Sequence, residues 1–206
     1  NDHEDANGQW EMNWDYDDAL KTADRHTFFK FMTKAIAEEY GYRAQVLWVR
    51  RSHPALVDAI TQSRELFGRF ASFNASHSFW NFPNGAVLQF NQLHDEGDYD
   101  KYQGQSITLL IIDEVTQWPS PALLDRLSSN LRPKRGVSVR QLVLGNPGGV
   151  GHAWVQERFL DASPGPWQPF QTNSRAWIVA SSTYLDNPHI DHAIYKTQLE
   201  ASGPDA

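Results

Sequence analysis

Apolar positions along this chain change period several times, and each change marks an element. Phe28, Phe31, Met32, Ala35 and Ile36 recur at i, i+3, i+4, i+7 and i+8, which predicts a helix over 27–40 that stops at Gly41. Residues 44–49 then form a short apolar run of the kind found in buried strands, closed by Arg50 and Arg51. A second helix is expected from Ser52-His53-Pro54, with Leu56, Ile60, Leu66 and Phe67 on its apolar side and Gly68 at its end. Residues 77–93 read as a hairpin turning at Pro83-Asn84-Gly85, with Phe79, Trp80 and Phe82 assigned to packing. Buried strands are predicted at 109–112 and 141–144, a further strand at 177–180, and helices at 121–131 and 152–160. A last helix opens at Asp186-Asn187-Pro188, a cap followed by proline in the first turn. Short apolar strands separated by helices predict an α/β fold: a mainly parallel sheet with helices on both faces.

Composition narrows the function classes. The chain has 206 residues, 40% hydrophobic and 21% charged, which is the make-up of a globular protein. Without cysteine it has no disulfide, thiolate metal site or cysteine nucleophile. No apolar run is long enough for a membrane span, so no membrane partner is expected. The formal charge is −7, and it is unevenly placed. Eight acids (Asp2, Glu4, Asp5, Glu11, Asp15, Asp17, Asp18, Asp24) face two bases (Lys21, Arg25) in residues 1–26, while 27–206 is nearly neutral. Residues 1–26 are therefore set apart as an acidic N-terminal segment, in which Trp10, Trp14 and Tyr16 either pin the chain to a surface or belong to a solvated terminus.

Candidate chemistry gathers at strand ends. The apolar run 109–112 runs straight into Asp113 and Glu114. In a parallel sheet, ligands bind at the carboxyl ends of strands. An aspartate there can hold a magnesium-bound water, and a neighbouring glutamate can polarise an attacking water. Two solvated acids at a surface strand end is the plainer alternative. A second strand ends in Gly145-Asn146-Pro147-Gly148-Gly149, a tight turn into a helix. Arg126, Arg132, Lys134, Arg135 and Arg140 put five bases and no acid in residues 126–140, as either a contact patch or a solvated face. His189 and His192 miss the i, i+4 spacing of a zinc pair.

From about residue 40 to 199 the sequence resembles the ATPase domain of the tailed-phage terminase large subunits. The resemblance rests on an ordered set: residues 46–51 (Val46 to Arg51), Phe82-Pro83-Asn84-Gly85-Ala86, and Tyr102-Gln103-Gly104-Gln105. It continues through residues 111–117, residues 145–155, and Thr183-Tyr184-Leu185-Asp186-Asn187-Pro188. The resemblance implies a P-loop NTPase-like (ASCE) fold over 27–206, with Mg2+ and ATP as cofactors. It makes Asp113 the magnesium-organising Walker B aspartate, Glu114 the catalytic glutamate, and Gly145-Asn146 the segment that couples hydrolysis to movement. Arg25 and Thr27 are the candidate nucleotide-binding stand-ins for the loop's lysine and hydroxyl. Arg50 and Arg51 are further cations for the nucleotide or else a solvated strand end, and Arg132, Lys134 and Arg135 are DNA or subunit contacts or else a solvated face. The implied partners are double-stranded DNA, the phage portal, the small terminase and further copies in a ring, in the cytoplasm of an infected bacterial host. The nuclease domain that follows in full-length terminases is expected to be absent, since the chain stops at Ala206.

Two features depart from the family. The phosphate loop, G-x-x-x-x-G-K-[ST], should end near Arg25 and His26, yet residues 9–40 contain no glycine. Without glycine the backbone amides cannot close around a triphosphate, and Asp24 sets a negative charge there. The arginine that many members place before the glycine upstream of the Walker B pair is Gln103 here, with Lys101 nearby. Three functions stay open: an ATPase that packages double-stranded DNA into capsids, a non-catalytic or truncated terminase-like interaction module that has lost nucleotide binding, or, more weakly, an unrelated helicase-like ATPase sharing only the Asp-Glu strand.

Overall fold

A computed structural model describes residues 44–132, 139–181, 185 and 191–202. The 27–40 helix, the start of the last helix, His189, Arg25, Thr27, Lys134 and Arg135 lie outside the described residues.

The first strand, β1 (Gln45–Arg50), leads into α1 (His53–Phe67), which carries proline in its first turn and buries Leu56, Ile60, Ser63 and Phe67. Three strands follow: β2 (Ser72–Asn74), β3 (Phe79–Asn81) and β4 (Val87–Gln92). Next are α2 (Glu96–Tyr99), a 3-10 turn (Asp100–Tyr102), and β5 (Leu109–Ile112), every residue of which is buried. A second 3-10 turn (Val115–Gln117) leads to α3 (Ala122–Ser128) and then β6 (Arg140–Val143). Then come α4 (His152–Val155), continuing as a π-helical turn (Gln156–Asp161), β7 (Pro169–Thr172), β8 (Arg175–Ile178) and α5 (His192–Ser202).

The main sheet has the order β2-β3-β4-β1-β5-β6. Its β4, β1, β5 and β6 strands run parallel, and β2 and β3 add antiparallel through the hairpin. The alternation of side chains splits the core into two layers. On one face Val46, Trp48, Leu88, Phe90, Leu109 and Ile111 pack with Leu56, Ile60 and Phe67 of α1. On the other, Leu47, Val49, Leu110 and Ile112 pack with Tyr99, Tyr102, Val115, Leu124 and Leu127. Both faces are covered, as the apolar runs implied.

The hairpin aromatics are core residues. Phe67 meets the Trp80 and Phe82 rings edge to face at 5.7 and 5.3 Å between centroids. Three elements differ from the periodicity reading. The 121–131 helix stops at Ser128, because Asn130 donates its side-chain amide to the Tyr102 carbonyl and Leu131 bridges to Ile107. The 152–160 helix widens into a π turn after Val155. The 177–180 strand is shifted to β8 and pairs antiparallel with β7, in a separate two-stranded sheet.

Candidate nucleotide site at the strand ends

Register places the central pair. Trp48 lies opposite Ile111 and Val49 opposite Ile112, so the next rung of the parallel ladder sets Arg50 beside Asp113. The Asp113 N–H donates to the Val49 carbonyl at 3.0 Å, extending the ladder past the end of β5. Asp113 Oδ2 accepts from Arg50 Nε at 2.6 Å and from Trp48 Nε1 at 3.2 Å. The same guanidinium donates through Nη1 to the Ala55 carbonyl at 2.5 Å. The Arg50 and Asp113 side chains are 20% and 11% exposed, dry enough for the pair to escape most solvent screening. Arg51, on the opposite face, donates to the Gln117 carbonyl at 2.8 Å and leaves its Nε buried without a hydrogen-bond partner among the described residues.

Glu114 is half-buried and sits in the left-handed region (φ 58°, ψ 47°), a strained backbone for a non-glycine residue. The kink turns the chain out of β5 and into the Val115–Gln117 turn. That turn is stitched to the end of β6. Val115 N–H donates to the Leu144 carbonyl at 2.8 Å, Thr116 Oγ1 donates to the Asn146 carbonyl at 3.1 Å, and Gly151 N–H donates to the Thr116 carbonyl at 2.8 Å. Gly145 and Asn146 are exposed and therefore stand next to the acidic pair, one strand over.

Of the residues singled out in the sequence, Asp113, Glu114, Arg50, Arg51, Gly145 and Asn146 come together at the carboxyl ends of β1, β5 and β6. Arg132 lies apart, after α3, and its backbone N–H donates to the Ile107 carbonyl at 3.0 Å. Arg126 of the basic segment is committed elsewhere, ion-paired to Glu96 with its guanidinium 4.0 Å from the Tyr99 ring centroid. Sequence reasoning missed Trp48 as a donor to Asp113 and missed the Arg50–Asp113 pairing. The signal was available, since both follow from aligning the apolar runs 46–49 and 109–112 in parallel. Among the described residues no group of three or more His, Asp or Glu side chains is placed to hold a metal ion.

The donor set at Asp113 does not fit a magnesium–nucleotide complex as it stands. One of its two carboxylate oxygens, Oδ2, is already filled by a guanidinium and an indole N–H.

Comparison with known proteins divides the chain in two. Residues 29–204 match the family model of the phage terminase large subunit. Residues 1–47 match a different model, the catalytic domain of glutamine synthetase. A 44-residue stretch is 77% identical to the glutamine synthetase of Rhizobium meliloti (strain 1021), covering 21% of this chain and 10% of that enzyme. Among solved structures, the HK97 bacteriophage large terminase aligns with a TM-score of 0.51 at 11% identity, covering 70% of this chain and 32% of that one. The large terminase of a thermophilic bacteriophage, solved in complex with ADP, aligns with a TM-score of 0.49 at 18% identity, covering 65% and 32%. The chain thus spans about a third of either terminase and a tenth of the synthetase. The HK97 likeness agrees with the α/β fold, a mainly parallel sheet with helices on both faces.

Proposed function

Because the chain belongs to the phage terminase large subunit family, we propose that its α/β body is the ATPase core of a DNA-packaging motor, held here without a working nucleotide site. One observation carries this reading: the glutamine synthetase match covers 1–47, the stretch in which the phosphate loop would have to end. That stretch offers Leu20-Lys21-Thr22-Ala23-Asp24-Arg25-His26-Thr27, with neither the glycines nor the lysine of a phosphate cradle at the required spacing. Arg25 and Thr27 supply a charge and a hydroxyl but no backbone nest. Asp113, paired to Arg50, points the same way. On this reading the residues that match glutamine synthetase, within 1–47, are foreign to the motor, and the chain that follows them is its remnant.

The opposite reading, a hydrolysing motor, draws support from the placement of Asp113 and Glu114 against Asn146 through Thr116. Binding separates the two. Calorimetry or thermal unfolding of the whole chain, and of Glu114→Gln, with magnesium and millimolar ATP is expected to show no nucleotide-dependent change. A genuine site at 100-fold excess over Kd would add about 2.7 kcal/mol of stability, and that increase would overturn the proposal.

Partners follow from the lineage. Double-stranded DNA, the portal, the small terminase and further copies in a ring are those this core is built to meet, in an infected bacterial cell. The segment from Arg132 through Lys134 and Arg135 is the basic stretch it offers to DNA or to a neighbouring subunit. None of the described helices is long and apolar enough to cross a membrane.

A further inference from the structure

We propose that Arg50 is a built-in cation at Asp113, a latch that keeps divalent metal ions off the strand-end carboxylate. The proposal rests on reading Asp113 as the carboxylate of a terminase core, and it is independent of whether ATP binds.

The latch is fixed by the fold. Parallel pairing of β1 with β5 puts Arg50 on the rung next to Asp113, so the two side chains leave the sheet on the same face. Nε lies 2.6 Å from Asp113 Oδ2, and Trp48 Nε1 reaches the same oxygen at 3.2 Å. The guanidinium is held from its other end by the Ala55 carbonyl in the first turn of α1, 2.5 Å from Nη1. An arginine gripped at both ends loses little freedom on pairing. A magnesium or manganese ion bound directly to Oδ2 would sit about 2 Å from an oxygen that already accepts two N–H groups. It would also face a neighbouring positive charge in a largely desolvated site, where like charges are poorly screened. The guanidinium already supplies the positive charge that a metal would bring. Metal entry at Oδ2 therefore requires Arg50 to swing away and to break its hold on α1.

Manganese alone, without nucleotide, is the probe, and the readout is free Mn2+ by electron paramagnetic resonance on the whole chain. Wild type and Asp113→Asn are expected to give the same weak binding. Arg50→Gln is expected to bind manganese at least tenfold more tightly, and Arg50→Gln/Asp113→Asn to lose that gain. Arg50→Lys, which keeps a charge, is expected to stay close to wild type. Wild-type binding as tight as that of a folded Arg50→Gln overturns the latch. So does wild-type binding that Asp113→Asn abolishes, and this comparison decides the matter even if Arg50→Gln fails to fold. An ATP-induced gain in wild-type stability would overturn the proposed function but leave the manganese result to stand or fall by itself.

Discussion

A missing β-carbon sets the distance between the acidic pair and its neighbouring strand end. A Cβ built on Gly145 would lie 2.8 Å from Val115 Cγ1 and 3.3 Å from the Val115 nitrogen. The nitrogen is the one that donates to the Leu144 carbonyl at 2.8 Å, so an added methyl would push on the bond that locks the two strand ends together. Gly151 is tighter still: its Cβ would fall 2.1 Å from the Trp118 carbonyl oxygen, with the Thr116 carbonyl at 2.9 Å. Gly145→Ala is expected to destabilise the protein by about 1–3 kcal/mol through overpacking. In a Val115→Ala background the same change should cost less, giving a coupling of at least about 0.5 kcal/mol in a double-mutant cycle by urea unfolding. Strictly additive losses would mean that Val115 is not what Gly145 makes room for. The sequence showed Gly145-Asn146 as a turn, but its collision partner is 30 residues away and comes into view only once β5 and β6 are paired. Asp113 is the reverse case, legible at the end of an apolar run. Its arginine partner also stood in view, yet only register joins them.

Elements differ in how openly the chain declares them. β1, α1, β4 and β5 bury whole faces, so their apolar spacing carries the signal. β2 and β7 are short and expose part of their length, so no period rises above the polar background, and β8 showed only as an apolar run two residues late. α2 is four residues long and is held by carboxylates rather than by propensity: Asp95 caps it, accepting from the Gly97 and Asp98 N–H groups, and Asp98 ties it to its surroundings. Asp98 Oδ2 accepts from the His94 N–H at 2.9 Å, and Asp98 Oδ1 from Lys101 Nζ at 2.5 Å, while Gln92 Nε2 lies 3.3 Å from both oxygens. Burial works to raise the Asp98 pKa, but the hydrogen bonds from Lys101, His94 and Gln92, with the lysine's charge, hold it below the ordinary 3.8. A carboxylate with a depressed pKa contributes stability that is fully present above its unfolded value and is lost as pH falls through the folded one. Asp98→Asn is expected to cost about 1.5–3 kcal/mol at neutral pH, the range for hydrogen bonds to a charged group. Its penalty should shrink below pH 3.8, as wild type loses the same charge. Urea unfolding of both proteins across the acid range checks this, and a penalty that stays constant with pH would count against it. Nearby, burial pushes the Tyr102 hydroxyl pKa well up, so it remains a neutral donor to the Gln92 carbonyl at 2.6 Å throughout that range.

At the scale of the molecule, two sequence lineages meet where a triphosphate would be held. The terminase model begins at residue 29 and the glutamine synthetase model ends at 47. The sequence revealed the consequence, a stretch from 9 to 40 free of glycine, because phosphate chemistry makes a missing glycine loop conspicuous. It did not reveal the source, because a short acidic and aromatic segment has no period that distinguishes one family from another. On the proposed reading, half of a nucleotide site remains: a strand-end carboxylate pair, a neighbouring strand tied to it through Thr116 and a guanidinium on Asp113. If this half is intact, supplying the other should restore binding. Replacing residues 1–43 with a strand and a G-x-x-x-x-G-K-T loop is expected to confer magnesium-dependent protection by ATP, approaching about 2.7 kcal/mol at 100-fold excess over Kd. Protection should be stronger when Arg50→Gln is added, since metal then reaches Asp113 without displacing a side chain. Thermal unfolding with and without magnesium reads both effects. If the graft folds and neither version responds to ATP, the terminase part has lost more than its phosphate loop, and the divergence of this chain reaches into the sheet itself.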